Sequence, residues 1–459
     1  MGSAQKRTER FLLQFGVNLK KFFPKWSEWL SKIHDPRQEV KCEYSLPALL
    51  WLSLLMLLSG RKSRNQYNEN LFNEETKMIL ERMFGVELPA IAHGDTLAHL
   101  WKVLNPEELE KLKTAMLRVL FRSRSLEKFR YQKHYYALAV DGTELYRWKE
   151  RHCPHCLYAA VGPNKENQYY HRVLEVKLVS TCGFSLSIMT EFIENEDDTA
   201  DKKQDCELKA FYRLMPKLKQ MFPQLPILLL ADGIYPKGPV FSMCQQYKWK
   251  YLFVLKDDVL TTVWDDFEGL MDMPPNALGV KEKTPMKVAQ GCVYRWMNQL
   301  SFKSNTADQQ GNKFDGTVNL IEVLSLELNT GEYVRSRGFI TNLKVVEKQV
   351  DALEEMAQQR WKIENQGFDI QKHHGYALEH IYCRAPNAIK VVYQLIQIAH
   401  LINQLFIQAD LLGAFKAKHT LITFFNVCLS AWQQIWSESL ASQWEILKQQ
   451  NFQVRWQQE

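Results

Sequence analysis

Two apolar runs in this chain each end in an Asp-Gly pair, and a charged stretch lies far downstream of both. The first run is Ala137-Leu138-Ala139-Val140, followed by Asp141-Gly142. The second is Ile227-Leu228-Leu229-Leu230-Ala231, followed by Asp232-Gly233, and the distant stretch is Arg360-Trp361-Lys362-Ile363-Glu364. Short continuous apolar runs read as strands buried on both faces. Such strands can each deliver a carboxylate at their end, and three acids gathered in that way can hold two divalent metal ions for phosphoryl transfer. Taken singly, an Asp-Gly is most often a turn. Arg360 and Glu364, four residues apart, read alone as an ion pair on a helix face. The combination is what points to an enzyme that cuts nucleic acid.

Composition permits this and narrows the class. At 459 residues the chain suits several domains. It is 46% hydrophobic and 12% aromatic, so a large core is available and global disorder is excluded. A net charge of +6 fits a polyanionic partner. Nine mostly scattered cysteines with no signal peptide read as reduced thiols, so a cytoplasmic, nucleoid-associated protein is expected. The longest apolar run, Leu46 to Ser59, contains Pro47 and falls short of the ~20 residues a bilayer span needs. It reads as a buried core helix, and no membrane partner is expected.

Periodicity divides the chain. Residues 1–130 read as helical and are expected to touch DNA. Basic residues cluster there at Lys20, Lys21 and Lys25, at Arg61, Lys62 and Arg64, and at Arg118, Arg122 and Arg124. Residues 131–256 alternate strands with helices, which indicates an α/β layer. Residues 257–340 hold Pro274-Pro275 and strand-like pieces, and read as a β-rich insertion between the second and third acids. Residues 341–385 carry the Glu364 helix, and 386–459 are again helical. No internal repeat is evident.

The order Asp141, Asp232, insertion, Glu364 resembles the DDE-type insertion-sequence transposases. Within them it is similar to the branch whose Glu helix carries a Tyr-x2-Arg-x3-Glu-x6-Lys signature. Arg360 and Glu364 fit that signature, whereas its tyrosine position is Ala357 and its lysine position is Gln371, with Lys372 adjacent. Tyr169 to Leu174, Gln204 to Glu207, and Gly375-Tyr376 with Glu379-His380 extend the match to roughly residues 135–400. The resemblance implies an α/β fold with an RNase H-like mixed sheet core, interrupted by the β-rich insertion and flanked by helical regions. It implies cleavage of double-stranded DNA at element ends and strand transfer to target DNA. Asp141, Asp232 and Glu364 would ligate Mg²⁺ or Mn²⁺, and Arg360 and Lys372 would contact DNA. Some relatives flip a base onto an insertion tryptophan; Trp296, with Arg295 gripping the neighbouring phosphate, is the candidate here. Two copies are expected to hold the paired ends, with the helix from Ala388 to Phe406 and Trp432, Trp436 and Trp444 offering surface for pairing.

A second constellation is His152-Cys153-Pro154-His155-Cys156. Cys-x2-Cys is the common half of a structural zinc site. His380 and Cys383 supply a second half, giving Cys153, Cys156, His380 and Cys383 as the expected Zn²⁺ ligands, with His152 and His155 as alternatives. Two other functional readings stand beside the transposase: an RNase H-like nuclease that cuts without joining, and a DNA-binding relative that no longer catalyses.

Overall fold

Every residue of Ile227–Ala231 is buried, because this strand lies between two parallel neighbours. The chain, seen in a computed structural model, is described over residues 3–163, 165–181, 183–195, 204–272, 286–289, 292–308, 310–326, 332–408 and 420–450. Its strands are β1 (Tyr136–Trp148), β2 (Leu157–Val161), β3 (Glu166–Val179), β4 (Ser185–Ile193) and β5 (Ile227–Ala231). They continue with β6 (Lys250–Val254), β7 (Met286–Ala289), β8 (Cys292–Ala307), β9 (Lys313–Leu326) and β10 (Tyr333–Thr341). All belong to one sheet, ordered β2-β3-β1-β5-β6-β10-β9-β8-β7, with β4 also paired to β3. The trio β1, β5 and β6 is parallel; β3 runs antiparallel to β1, and β4 to β3. The helices Glu207–Met221 and Gly238–Tyr247 precede β5 and β6, as parallel pairing requires.

The β-rich stretch is not a layer of its own. β10 pairs antiparallel with β6, matching Phe339 to Val254 and Thr341 to Leu252, and β9, β8 and β7 follow outward. This covers the edge of β6, whose unpaired backbone groups would otherwise need another partner. Pro274-Pro275 lies outside the described residues.

The flanking helices share one core. The Leu46–Leu58 helix is capped by Ser45 and buried at every position but Pro47. It packs on Pro386–Gln408, which is buried from Ala388 to Phe406 at all but Lys390. That long helix also packs on Gly94–Val103, Pro106–Arg122 and β4. Trp432 and Trp444 are likewise interior, with Trp432 5.6 Å from the Phe15 ring. The long helix, Trp432 and Trp444, expected to pair two copies, are therefore spent inside one chain, buried against their own neighbours. Among the described residues, no helix is long and apolar enough to cross a membrane.

A polar layer lies between the long helix and the sheet. Lys177 donates to Gln397 at 2.8 Å, and Lys113 to Ser187 at 2.8 Å. Glu175 accepts from Thr190 and Tyr393, each at 2.8 Å. Buried charges persist where such partners surround them.

Candidate active site

The β1–β5 register runs from Tyr136↔Ile227 to Ala139↔Leu230; carried two residues further, it sets Asp141 abreast of Asp232. Asp232 follows the last residue of β5. Asp141, in contrast, is not at a strand end as expected. β1 continues to Trp148, held by β3 alone, and Asp141 sits opposite Glu175 in that ladder. The site opens where β5 stops and β1 continues. Local bonds aim both carboxylates: the Gly142 N–H donates to Asp141 Oδ1 at 2.8 Å, and the Ile234 N–H to Asp232 Oδ1 at 3.0 Å.

Each Asp-Gly glycine makes room for a charged side chain. A Cβ on Gly142 would lie 2.6 Å from Glu207 Oε2, and one on Gly233 would lie 2.8 Å from Lys256 Cε. Glu207, in the first turn of its helix, is thus a fourth carboxylate at the site. It is pinned by Tyr235, whose hydroxyl donates to Oε1 at 2.7 Å, and by Arg172, which donates to Oε2 at 2.9 Å. Burial, then the charge of Glu207, pushes Asp141 up to about 6; Asp232 adds to this, while Arg360 and the Gly142 N–H oppose it. The Tyr235 hydroxyl is held far above its ordinary range by burial and the same acids, so it stays a donor.

The third acid arrives on an irregular helix. Val350–Gln358 ends in a turn at Gln359 and Arg360, and Ile363–Phe368 forms a π-helical segment that contains Glu364 and packs against β1. Such segments are frequent at functional sites. Glu364 is exposed, whereas Arg360 is buried and reaches Asp141, Nη1 to Oδ2 3.3 Å. Arg360 Nε has no hydrogen-bond partner among the described residues. Its guanidinium also lies over the ring of Trp361, which is 52% exposed. The π-helical segment is tied down from behind. Gln404 reaches the carbonyl of Gln366 at 3.4 Å, and Gln371 bonds Gln397 at 2.9 Å and His400 at 2.8 Å. Gln371 is therefore a buried strut rather than a contact for DNA. Lys372 is paired with Glu379 at 2.9 Å.

The family model described as Transposase DDE domain matches residues 132–402. The chain belongs to the transposase DDE family. That match spans Asp141, Asp232 and Glu364, and the strands β4-β3-β1-β5-β6 are the RNase H-like core of this DDE domain. A second family model, DDE_Tnp_1-associated, matches residues 27–115 in the helical region. No curated protein matches the chain.

Other expected DNA contacts of this DDE protein are placed differently. Trp296 is 5% exposed, paired to Ile321 across β8 and β9, and shares a buried cluster with Val350 and Leu353. It is a core residue and presents no open face to a base. Arg295 is bound through Nε and Nη2 to the buried Glu322, an ion pair that fixes it within the strands. Several basic residues of the N-terminal region are also engaged within the chain. Arg64 bonds Asp95 and the Tyr382 carbonyl, Arg61 bonds Asn70, and Arg118 bonds the Met221 carbonyl.

The expected zinc ligands separate. Cys153 and Cys156 stand with His152 and His171, and the donor atoms of these four all lie within 4.8 Å of one another. His380 and Cys383 are outside that group. Their segment does pass nearby, since Cys383 lies beside Tyr146 and Arg384 beside His152. His155 turns away, its Nδ1 3.0 Å from the Asn195 carbonyl. His171 was hidden in the sequence because it sits in a tyrosine-rich strand, and cross-strand neighbours have no local signal.

Proposed function

We propose that this chain is a DNA transposase that cleaves strands at the ends of a mobile element and joins them to target DNA. The observation that carries the reading is the abreast pair Asp141 and Asp232, crowded by Glu207 so that burial and like charge hold Asp141 up to about 6. A carboxylate cluster with that excess of negative charge fits a hard divalent cation, and its donors are all oxygens. Asp141, Asp232 and Glu364 would hold Mg²⁺ or Mn²⁺. When bound, the ions neutralise charge on the attacking and leaving oxygens of the phosphodiester.

The chain's own residues supply the rest. Glu207, fixed by Tyr235 and Arg172, backs Asp141 without facing solvent. Arg360, with its unpaired Nε, is shaped to take a phosphate once a cation has relieved it of Asp141. Lys256, exposed across Gly233, would offer a second cation to the DNA backbone. Trp361 offers the aromatic face that Trp296 does not. Holding both element ends would take two copies, joined through a surface other than the buried long helix, Trp432 and Trp444.

The test is to incubate the protein with end-containing duplex, a target plasmid and Mg²⁺, and to map nicks and joined products. Metal-dependent nicks at the ends with joined products support the proposal. Nicks without joining would replace it with the nuclease reading, and neither product, with DNA still bound, with the inactive relative.

A further inference from the structure

Away from the acids, the connection between β1 and β2 brings together two thiols and two imidazoles. Cys153 and Cys156 are buried, as is His171 on β3, and His152 is half-buried. The Sγ atoms are 3.4 Å apart, and His171 Nε2 is 3.4 Å from Cys153 Sγ and 3.8 Å from Cys156 Sγ. His152 Nε2 is 3.1 Å from His171 Nε2 and 3.9 Å from Cys156 Sγ. A tetrahedral zinc ion with bonds of ~2.0–2.3 Å has donor-to-donor edges of roughly 3.3–3.8 Å. The observed spacings fall on or near those edges. They are far longer than the ~2.05 Å of a disulfide.

We propose that His152, Cys153, Cys156 and His171 form a structural Zn²⁺ site that is separate from the carboxylate site. The surroundings are built for it. His171 turns Nε2 toward the thiols and Nδ1 toward Glu194, 4.0 Å away, and Glu194 is itself paired with Lys390 of the long helix. A negative charge on that side favours the proton on Nδ1 and leaves Nε2 free for a metal. The knuckle is clamped from outside by Arg151, which donates to the Cys153 carbonyl at 3.2 Å and to the Pro154 carbonyl at 2.8 Å. Asn195 donates to the Cys156 carbonyl at 2.9 Å. Four protein ligands leave no open position for water or substrate, which marks the site as structural. Its mechanical effect follows from register. His171 pairs with Tyr146 on the same β1–β3 ladder that sets Asp141 opposite Glu175. Zinc would staple the β1–β2 connection to β3 and hold the far end of the ladder that carries the first acid.

The test uses the full chain, purified without chelators. Elemental analysis should find about one zinc per chain, and X-ray absorption should find two sulfur and two nitrogen neighbours. Cys156→Ser and His171→Ala should each lose the metal, whereas a His380→Ala, Cys383→Ser double variant should keep it. Removing zinc from the unmutated protein with a strong chelator should lower Tm, and adding zinc back should restore it, a readout that needs no variant to fold. Absence of bound zinc after incubation with Zn²⁺ would overturn the proposal. So would a Cys153–Cys156 disulfide in freshly lysed cells, or loss of zinc from the His380/Cys383 variant.

Discussion

Arg360 Nη1 lies 3.3 Å from Asp141 Oδ2, so the helix that carries the third acid is joined by an ion pair to the strand that carries the first. The pair spans 219 residues of sequence and closes the site across the long β-rich stretch. With the Arg360 side chain 10% exposed and that of Asp141 21%, the contact is sheltered from solvent.

Arg360→Ala should remove a charge that favours ionised Asp141 and, in the DNA complex, a phosphate contact. Cleavage should fall about 100-fold, in the range seen when one donor to a developing anion is lost. Arg360→Lys should recover little, because an ammonium lacks the planar fork. Single-turnover cleavage across pH checks this: the rate midpoint should move to higher pH in Arg360→Ala. An unchanged profile and rate would exclude Arg360 from the site.

The raised Asp141 makes the metal-free protein sensitive to pH. Its folded state holds a proton up to about 6, above the ordinary aspartate value of ~3.9. The folded form therefore binds this proton more tightly than the unfolded chain does. The contribution of Asp141 to stability is fully present below the ordinary value and is lost as pH rises through about 6, roughly 3 kcal/mol in all. By the same linkage, divalent-cation affinity should weaken below about pH 6. Thermal melts of chelated wild type and Asp141→Asn should diverge over this window, with the variant losing less as pH rises. Parallel curves would contradict the assignment.

The two Asp-Gly glycines should not be equivalent. Gly142→Ala drives a methyl against Glu207, which Tyr235 and Arg172 hold in place, and should cost roughly 1–3 kcal/mol. Gly233→Ala meets the flexible stem of Lys256, which can swing aside, and should cost far less. Chemical denaturation of the two variants measures the difference; equal losses would show that Glu207 yields as easily as a lysine.

The two tryptophans should separate stability from DNA binding. Trp296→Ala opens a hole in a buried cluster and should cost about 3–5 kcal/mol of stability. Trp361→Ala should leave Tm nearly unchanged and weaken DNA binding by about 1–3 kcal/mol. Melting curves and filter binding on both variants decide, and a DNA defect confined to Trp296→Ala would reverse the assignment.

Much of the core was legible because its strands are continuous apolar runs. The apolar run Ile227 to Ala231, expected as a strand buried on both faces, is β5 residue for residue. β2 and β7 were not legible, being short and, in β2, largely exposed. The abreast placement of Asp141 and Asp232 was foreshadowed by their matching context. Glu207 was not, although Gln204-Asp205-Cys206-Glu207 was visible as a polar helix start; an acid in a first turn is ordinary there, and only the fold brings it under Gly142. Trp296 misled because its surroundings do not reveal that neighbours on both sides bury it. Residues such as His171 and Trp361 gained meaning from contacts made across strands or along an irregular helical segment, which local periodicity does not encode.

The central claim is that Asp141, Asp232 and Glu364 form one metal-dependent site for cutting DNA. The most direct measurement compares Asp141→Ala, Asp232→Ala and Glu364→Ala with the unmutated chain on end-containing duplex in Mg²⁺, scoring cleavage and DNA binding on the same samples. The account predicts that each variant loses cleavage to background while still binding DNA, because phosphate contacts elsewhere supply most of the affinity. Near-normal cleavage by any one of the three would contradict it.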